Sequence, residues 1–416
     1  MRWTCLFVLG LACGLVGCRS PRVKADPSRL SPTSIATPVD PVLSAGPTLE
    51  RQESFWDELH DDQDGKFDLS KFMERPGGFL PVVIPITEPA VGLGGAFIAA
   101  FFHPQKEPGK RGPSGQRIAP AVTAVGGLAT ENGTWGVLAG HLNNWNDDRI
   151  RYAGALFHVS VNLKYYGVVS ELVGEPRKFN IEGSGTIQDG QVRLGNSPFF
   201  AGLRYSYFNN HVSAERLLNL PGLEPIEFDS QNAGLGVELH YDTRDNTFTP
   251  NRGYRAQAIY TFFDDAFGGD FAYEQFDIYA LGWFPLSSTW NLGLRLDGKF
   301  VNGAAPFYAQ PFISLRGIPA MRYQGDDVIV AETELRYDFT SRWSLIGFTG
   351  VGRAATEADR LFQKDEFARV QTAWNVGTGF RYLITRKHGL RMGLDIARGP
   401  EDWAFYVTVG NGWNRL

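Results

Sequence analysis

Residues 290–300 read Trp-Asn-Leu-Gly-Leu-Arg-Leu-Asp-Gly-Lys-Phe, with apolar side chains at alternate positions. A period of two is typical of a β-strand that presents one apolar face. About ten residues with this period are enough to cross the apolar layer of a membrane as a tilted strand. The opposite face is polar and carries charges of both signs, at Asn291, Arg295, Asp297 and Lys299.

The same alternation recurs in residues 233–242, 329–338 and 389–397. Strands of soluble sandwiches also alternate, so the period alone does not decide between the two classes. Charges of both signs on the polar face, and aromatic residues near the ends of these segments, favour a polar lumen with aromatic girdles at two membrane interfaces. We therefore predict an all-β fold, a transmembrane antiparallel β-barrel.

The number of strands follows from closure of the barrel. A free strand edge in lipid would leave backbone groups unpaired, and a single-chain bacterial barrel has an even number of strands. Fifteen candidates imply sixteen strands, with one missed in residues 165–195 or in the segment Phe-Leu-Pro-Val-Val-Ile-Pro at 79–85. The fifteen candidates are 90–102, 117–129, 134–145, 151–165, 178–193, 198–209, 232–243, 253–264, 272–284, 289–301, 327–339, 342–353, 371–383, 389–398 and 403–413.

The start of the chain indicates export. A basic residue at position 2 precedes an apolar run at 5–16 that is too short to span a bilayer, the pattern of a signal peptide over residues 1–17. Leu-Val-Gly-Cys at 15–18 resembles the lipobox of bacterial lipoproteins, which implies lipidation of Cys18. Ordinary signal cleavage that discards Cys18 is the alternative. All three cysteines lie within the first eighteen residues, so the mature chain is expected to have neither a disulfide nor thiol chemistry.

Composition agrees with a barrel. The chain of 416 residues has 48 glycines, 30 phenylalanines, 15 tyrosines and 10 tryptophans, at a mean hydropathy of −0.20. No apolar run of about 18 residues follows the signal, which argues against a helical membrane protein. The net charge of −5 offers no basic face, so no nucleic-acid partner is predicted. The expected partner is outer-membrane lipid, around a monomer.

The segment before the barrel is predicted to be a tether. Residues 18–77 form a mostly disordered periplasmic segment rich in Pro, Ser, Ala and Thr, and the barrel occupies 78–416. Residues 55–74 are more structured, as a short amphipathic helix or a turn.

An acidic run at 61–68 resembles a calcium loop. Aligning Gly65 with the invariant glycine of an EF-hand places His60 and Lys71 at ligand positions, and neither side chain suits a hard cation. A solvated acidic turn is the prediction for this run.

A turn motif lies in residues 241–254, in the order Asp-x-Arg-Asp followed by Pro-x-x-Gly. It resembles the strand-turn-strand signature of the BamA/TamA outer-membrane assembly superfamily, also called the bacterial surface antigen family. A proline and a glycine suit a tight turn, around which the charged side chains can pair. The motif residues are Asp242, Arg244, Asp245, Pro250 and Gly253.

A second motif supports the resemblance. Leu315, Arg316, Gly317 and Ile318 resemble the (V/I)-R-G-(F/Y) motif of that family. The resemblance implies that this extracellular loop folds into the barrel and that its arginine binds lumen-facing residues. A desolvated arginine needs carboxylate partners. The candidates are Glu332 and Glu334, on the lumen face of the next strand.

The chain also departs from the family pattern. Where the assembly proteins carry F-x-D-x-G, residues 348–352 read Phe-Thr-Gly-Val-Gly and lack the acidic residue. Residues 19–77 are too short for a POTRA domain, the soluble module that receives clients in the assembly and secretion members. The resemblance therefore implies a barrel-only branch.

No motif predicts catalysis. There is no G-x-S-x-G elbow and no H-x-x-x-H pair, so we predict no catalytic residue, no metal site, no cofactor and no enzyme activity. His240 lies beside Asp242 on a lumen face. We interpret it as a hydrogen-bonding group rather than as half of an acid–base pair.

Three functions remain open. The first is to assist assembly, insertion or translocation of client proteins or lipids at the outer membrane. The resemblance implies that this occurs by lateral opening between the first and last strands, expected at 91–102 and 403–413, which both bear glycine. The glycines equally suit ordinary barrel curvature. The second function is a passive pore or structural lipoprotein barrel, and the third, an outer-membrane hydrolase, lacks a catalytic set.

Overall fold

The structure is a computed structural model. It describes residues 59–73, 79–103, 121–165, 177–214, 226–246, 248–356, 369–386 and 389–413. Cys18, the predicted signal and most of the predicted tether lie outside these residues. In the described part of the chain, no helix is long and apolar enough to span a membrane.

Sixteen strands form one antiparallel sheet, and each pairs with its neighbours in sequence. This confirms the prediction of an all-β barrel of sixteen strands. A short helix, α1 (Ser70–Met73), precedes the barrel. The strands are β1 (Phe79–Ile86), β2 (Gly94–Phe102), β3 (Val122–Thr130), β4 (Trp135–Trp145), β5 (Ile150–Tyr165), β6 (Arg177–Arg193), β7 (Phe199–Ala214), β8 (Ile226–Asp242), β9 (Gly253–Phe263), β10 (Tyr273–Pro285), β11 (Trp290–Gly303), β12 (Asp327–Asp338), β13 (Trp343–Thr356), β14 (Arg369–Thr385), β15 (Leu390–Arg398) and β16 (Trp403–Val409).

The strand missing from the fifteen candidates is β1. It contains Pro81 and Pro85 and lacks polar alternation, so its sequence does not show the period of a membrane strand. The other location considered, 165–195, holds the single strand β6. Taking 91–102 as the first strand was therefore wrong, because that segment forms β2.

The two faces of the sheet separate as the alternation predicts. In β11, Leu294 and Leu296 are exposed on the outer wall, whereas Arg295 and Asp297 are buried inside. Aromatic pairs mark the end of the barrel at which β1 begins, which we call the N-terminal rim; the opposite end is the distal rim. At the N-terminal rim, Trp290 stacks on Tyr337 with ring centroids 4.5 Å apart, consistent with an interfacial girdle.

The lumen is less uniformly polar than the sequence suggested. Inward side chains of β1 to β5 form an apolar cluster that includes Ile84, Ile98, Val122 and Leu138. The buried charges lie mainly on β8 to β15. Apolar side chains that pack on one another exclude water from one side of the barrel, so the other side holds the polar site.

Candidate functional site

The segment between β11 and β12 folds into the barrel. Ile313 N donates to Tyr323 O at 2.9 Å, and Phe312 pairs with Gln324 in an isolated antiparallel bridge. We call residues 304–326 the in-folded loop. Its buried side chains Ile313, Leu315 and Ile318 pack against apolar residues of β12, β13 and β14, namely Val328, Val330, Ala354 and Ala373.

Arg316 is the charged centre of this loop. Its Nε and Nη2 each lie 3.1 Å from Glu332 Oε1, and Nη1 lies 2.9 Å from Glu334 Oε2. The structure thus brings the motif arginine to both candidate carboxylates. Two further contacts come from other strands: Nη1 lies 3.0 Å from Asp395 Oδ2 on β15, and the guanidinium lies 3.4 Å from the centroid of the Phe348 ring.

Glu332 joins several elements at once. Besides Arg316, it accepts hydrogen bonds from Arg295 Nη1 at 3.1 Å, Asn375 Nδ2 at 3.2 Å and Trp413 Nε1 at 2.6 Å. A buried carboxylate is tolerated only when its oxygens are satisfied, and this one receives donors from β11, β14, the in-folded loop and the C-terminal segment. Removing Glu332 would therefore leave two buried arginines undercompensated.

The sequence did not identify Asp395, because it lies on β15, 79 residues beyond Arg316. Gly350 stands where the family pattern has an aspartate, and its surroundings are crowded. A Cβ at Gly350 would lie 2.9 Å from Leu315 Cδ2, so the loop side chain fills the space that an aspartate would need. Asp395 supplies a third carboxylate to Arg316, and it is also held by Arg381 at 2.5 and 2.8 Å.

Gly317 allows the loop to reach β16. Its φ of +87° favours glycine, and a Cβ there would lie 3.0 Å from Gly399 N in the turn before β16. The Gly317 N–H donates to the Tyr406 hydroxyl on β16 at 2.7 Å. The loop motif is therefore fixed to the last strand as well as to β12.

The same loop reaches the first hairpin. Ala320 N lies 3.4 Å from Glu88 Oε1 in the turn between β1 and β2, and Val91 of that turn belongs to the same buried apolar cluster as Met321 of the loop. Burial raises the pKa of the Glu88 carboxyl to about 7, although backbone donors partly oppose this shift. The in-folded loop thus contacts the elements on both sides of the junction between β1 and β16.

That junction, which we call the seam, differs from the other strand pairs. Residues of β1 and β16 come within 8 Å between Cα atoms, but no hydrogen-bonded ladder joins these strands in the described part of the chain. Proline lacks an N–H and occurs in sheets with its nitrogen directed away from the paired neighbour. Pro81 and Pro85 have the same parity along β1, so both remove donors from the edge that faces β16.

The C-terminal segment leaves the wall after β16. Gly410 has a φ of +83°, and Asn411 N donates to Phe248 O at 2.9 Å. Trp413 is buried in the lumen, with its ring centroid 6.4 Å from that of Trp283. Residues 410–413 therefore pack inside the barrel, beside the in-folded loop.

The turn motif between β8 and β9 lies at the N-terminal rim. Asp242 pairs with Arg244, with Oδ2 2.7 Å from Nη2, while Asp245 Oδ1 accepts from the backbone of Asn251 at 2.9 Å. Pro250 is buried, and Gly253 has a φ of +104° with no room for a Cβ beside Thr243 O. Phe248, whose carbonyl oxygen accepts from Asn411 N, belongs to this turn. The C-terminal segment is therefore bound to the turn directly and to the loop motif through Glu332.

Two other features of the sequence, His240 and the acidic run, have partners in the structure. His240 is buried, and its Nε2 accepts a hydrogen bond from Arg255 Nε at 3.3 Å, so it acts as a hydrogen-bonding group in the lumen. The acidic run is not a solvated turn, because Asp64 and Asp68 bind Arg342 at 2.8 and 2.5 Å. No group of three or more potential metal ligands is placed to hold an ion among the described residues.

These features define an outer-membrane β-barrel with a loop folded into its lumen and fixed there by an arginine. The family model of the Omp85 superfamily domain matches residues 201–385, a range that contains both motifs. This part of the chain is therefore similar to the Omp85 superfamily domain. No curated protein sequence matches the chain.

Solved structures share the fold at low identity. BamA from Haemophilus ducreyi lacking POTRA domains 1–3 is 13% identical with a TM-score of 0.53, over 80% of this chain and 70% of that one. CdiB from Acinetobacter baumannii is 10% identical with a TM-score of 0.50, over 80% of this chain and 59% of that one. CdiB from Escherichia coli is 9% identical with a TM-score of 0.52, over 79% of this chain and 62% of that one. The chain thus spans less than two thirds of both CdiB structures.

Proposed function

We propose that this barrel acts as a monomer that assists assembly, insertion or translocation of proteins or lipids at the outer membrane. It works without catalysis and with the N-terminal rim facing the periplasm. One observation carries the proposal: the edges of β1 and β16 lack a hydrogen-bonded ladder in the described residues, while every other neighbouring pair has one. The seam is the place at which a client strand or a lipid headgroup would enter.

The physical basis is the cost of an open edge in lipid. Unpaired backbone groups are expensive in hydrocarbon, so an edge strand gains most when a client strand pairs with it. Pro81 and Pro85 weaken direct pairing of β1 with β16. The in-folded loop holds both sides from within, through Ala320 at Glu88 and Gly317 at Tyr406. A seam that is braced but unpaired can open without breaking a full ladder.

The alternative is a passive pore or a structural barrel without a client. The in-folded loop, the buried charges around Glu332 and the apolar cluster at Ile98 all occupy lumen space. This filling favours the assisting role over conduction of solutes.

The test is insertion of a reporter barrel into liposomes with and without the purified protein, beside lipid scrambling in the same vesicles. We expect the protein to accelerate reporter insertion or lipid scrambling, and we expect Arg316→Ala to remove this acceleration because the loop loses its charge partners on β12 and β15. Arg193→Ala is the matched control, since the Arg193 side chain is 0% exposed, compared with 9% for Arg316, and it pairs with Asp148 in the turn between β4 and β5. The pore would be favoured if reporter insertion and lipid transfer both stayed at the level of empty vesicles while the protein conducted ions in planar bilayers.

A further inference from the structure

Residues 59–73 form a compact unit ahead of β1, which we call the strap. His60 and Phe67 pair in an antiparallel bridge, and Asp61 N donates to Lys66 O at 2.9 Å. Gly65 turns the chain with a φ of +62°. The unit ends in α1, only six residues before β1 begins.

The strap is docked on the N-terminal rim by charge. Arg342, in the turn between β12 and β13, has a side chain that is 0% exposed and is surrounded by three strap carboxylates. Its nitrogens lie 3.0 Å from Asp61 Oδ2, 2.8 Å from Asp64 Oδ2 and 2.5 Å from Asp68 Oδ2. The arginine takes the place that a cation would have in an acidic loop. Arg386, in the turn between β14 and β15, adds a contact of 2.9 Å to Asp64.

Backbone contacts fix the register of the strap on β14. Leu69 N donates to Ile384 O at 2.7 Å, and the Tyr382 hydroxyl donates to Phe67 O at 2.9 Å. Apolar contact is modest, since the Phe67 side chain remains exposed. A unit held by ion pairs and a few hydrogen bonds can leave the rim without unfolding the barrel.

The strap connects the two sides of the seam. It binds β14 and the flanking turns on one side of the seam, yet it is joined covalently to β1 on the other side. Between β14 and β1 lie β15, β16 and the seam, about 15 Å at the usual spacing of strands. The six residue steps from Met73 to Phe79 span at most about 22 Å, so the docked strap keeps β1 close to β16.

We propose that the strap is a brace that holds the seam closed at the N-terminal rim, and that Arg342 is the positioning residue that keeps it docked. The in-folded loop connects the two sides of the seam toward the distal rim, and the strap connects them at the other end. Release of the strap frees β1 to move away from β16. The inference rests on the proposed function only because that function requires the seam to open. The effect of the strap on the distance across the seam can be measured without a client.

The experiment places spin labels at Val83→Cys and Phe405→Cys in the full chain with Cys5, Cys13 and Cys18 changed to serine. These side chains are 72% and 53% exposed on the outer faces of β1 and β16. Pulsed dipolar spectroscopy then gives the distance distribution across the seam in detergent or nanodiscs. Two variants undock the strap from either side: Arg342→Gln, and Asp61→Asn with Asp64→Asn and Asp68→Asn, which leaves every barrel residue unchanged.

Arg193→Gln is the matched control. The Arg193 side chain, at the end of β6, is likewise 0% exposed at the N-terminal rim. It pairs with Asp148 in the turn between β4 and β5, and among the described residues it makes no contact with the strap. We expect the distribution to broaden toward longer distances in both strap variants and to stay narrow in the control. Limited proteolysis within residues 59–73 reports undocking independently.

Three results would overturn the brace. These are an unchanged seam distance once proteolysis shows the strap released, continued protection of the strap in both variants, or equal widening in Arg193→Gln. The reporter-insertion assay separates this inference from the proposed function. A wider seam without faster insertion keeps the brace and rejects the function, whereas faster insertion with an unchanged seam does the reverse.

Discussion

The indole Nε1 of Trp413 donates a hydrogen bond of 2.6 Å to Oε2 of Glu332, while Oε1 of the same carboxylate receives Arg316. One buried side chain thus joins the C-terminal segment, which continues from β16, to the in-folded loop. Movement of β16 away from β1 would pull on this bond. The stability of the lumen network and the position of the last strand are therefore coupled through Glu332.

Trp413→Phe tests this coupling. The variant keeps most of the packing against Trp283 but removes the donor to a buried carboxylate. Hydrogen bonds to charged groups contribute about 1.5–3 kcal/mol, and we expect a loss of that order in the free energy of unfolding, measured by urea titration of the refolded barrel. Trp403→Phe is the control, because Trp403 is 64% exposed on β16. Equal loss in both variants would show that the bond adds nothing.

Gly317→Ala tests the contact of the loop motif with the last strands. The added Cβ meets a φ of +87° and lies 3.0 Å from Gly399 N, so the loop must shift away from the turn before β16. We expect about 1–3 kcal/mol of destabilisation for the strained backbone. The loss should appear as a lower midpoint temperature of unfolding when the folded barrel is heated and its shift in gel mobility is followed.

Gly347→Ala provides the comparison for that substitution. A Cβ added at Gly347 would have no heavy atom within 4 Å, and this glycine lies on β13 without a positive φ. An unchanged midpoint is expected there. If Gly317→Ala proved as harmless as Gly347→Ala, the close approach of the loop to Gly399 would not constrain it.

Much of the fold could be predicted from the sequence because alternation is a local property. Fifteen of the sixteen strands correspond to candidates in the sequence, of which residues 290–300, 233–242, 329–338 and 389–397 show it most clearly. The evenness of membrane barrels indicates the last strand. The strand that the sequence did not indicate, β1, is also the strand whose outer edge has no hydrogen-bonded ladder with β16 in the described residues. Pro81 and Pro85 interrupt the usual strand pattern for the same reason that they weaken pairing across the seam.

The site was less accessible to sequence reasoning. Glu332 and Glu334 lie on the strand that follows the loop, so alternation placed them on the lumen face beside Arg316. Asp395 and Trp413 reach the same cluster from distant parts of the chain, and no local pattern indicates which lumen residues meet across a barrel. Similarly, the partners of the acidic run, such as Arg342, follow it by more than 270 residues.

Glu88 predicts a dependence of stability on pH. Burial raises the pKa of its carboxyl from 4.5 to about 7, so folding favours the protonated form. This contribution is fully present below pH 4.5 and is lost as the pH rises through about 7. We expect the free energy of unfolding to fall between these values in the wild type and to fall less in Glu88→Gln. Glu182→Gln, which removes an exposed carboxylate, serves as the control. Parallel pH profiles for wild type and Glu88→Gln would contradict the assignment.

The strap has the opposite pH dependence. Hydrogen bonding to Arg342 lowers the pKa of Asp64 below its ordinary 3.8, against the effect of partial burial. For Asp68, burial acts to raise the pKa, but hydrogen bonds from Ser70 and Arg342 outweigh it and the pKa is lowered. Depressed carboxyl pKa values stabilise the docked state above 3.8, and that contribution is lost as the pH falls through the lower values of the docked state.

Strap docking should therefore persist from neutral pH to about pH 4 and fail only in stronger acid. Spin labels at Asp62→Cys, an exposed strap position, and Ser341→Cys, beside Arg342, report the distance between strap and rim during an acid titration. Arg342→Gln should show the long distance even at neutral pH, because the carboxylates have lost their main partner. Release of the wild-type strap near pH 6 would mean that groups other than Asp64 and Asp68 hold it, since neither carboxylate titrates there.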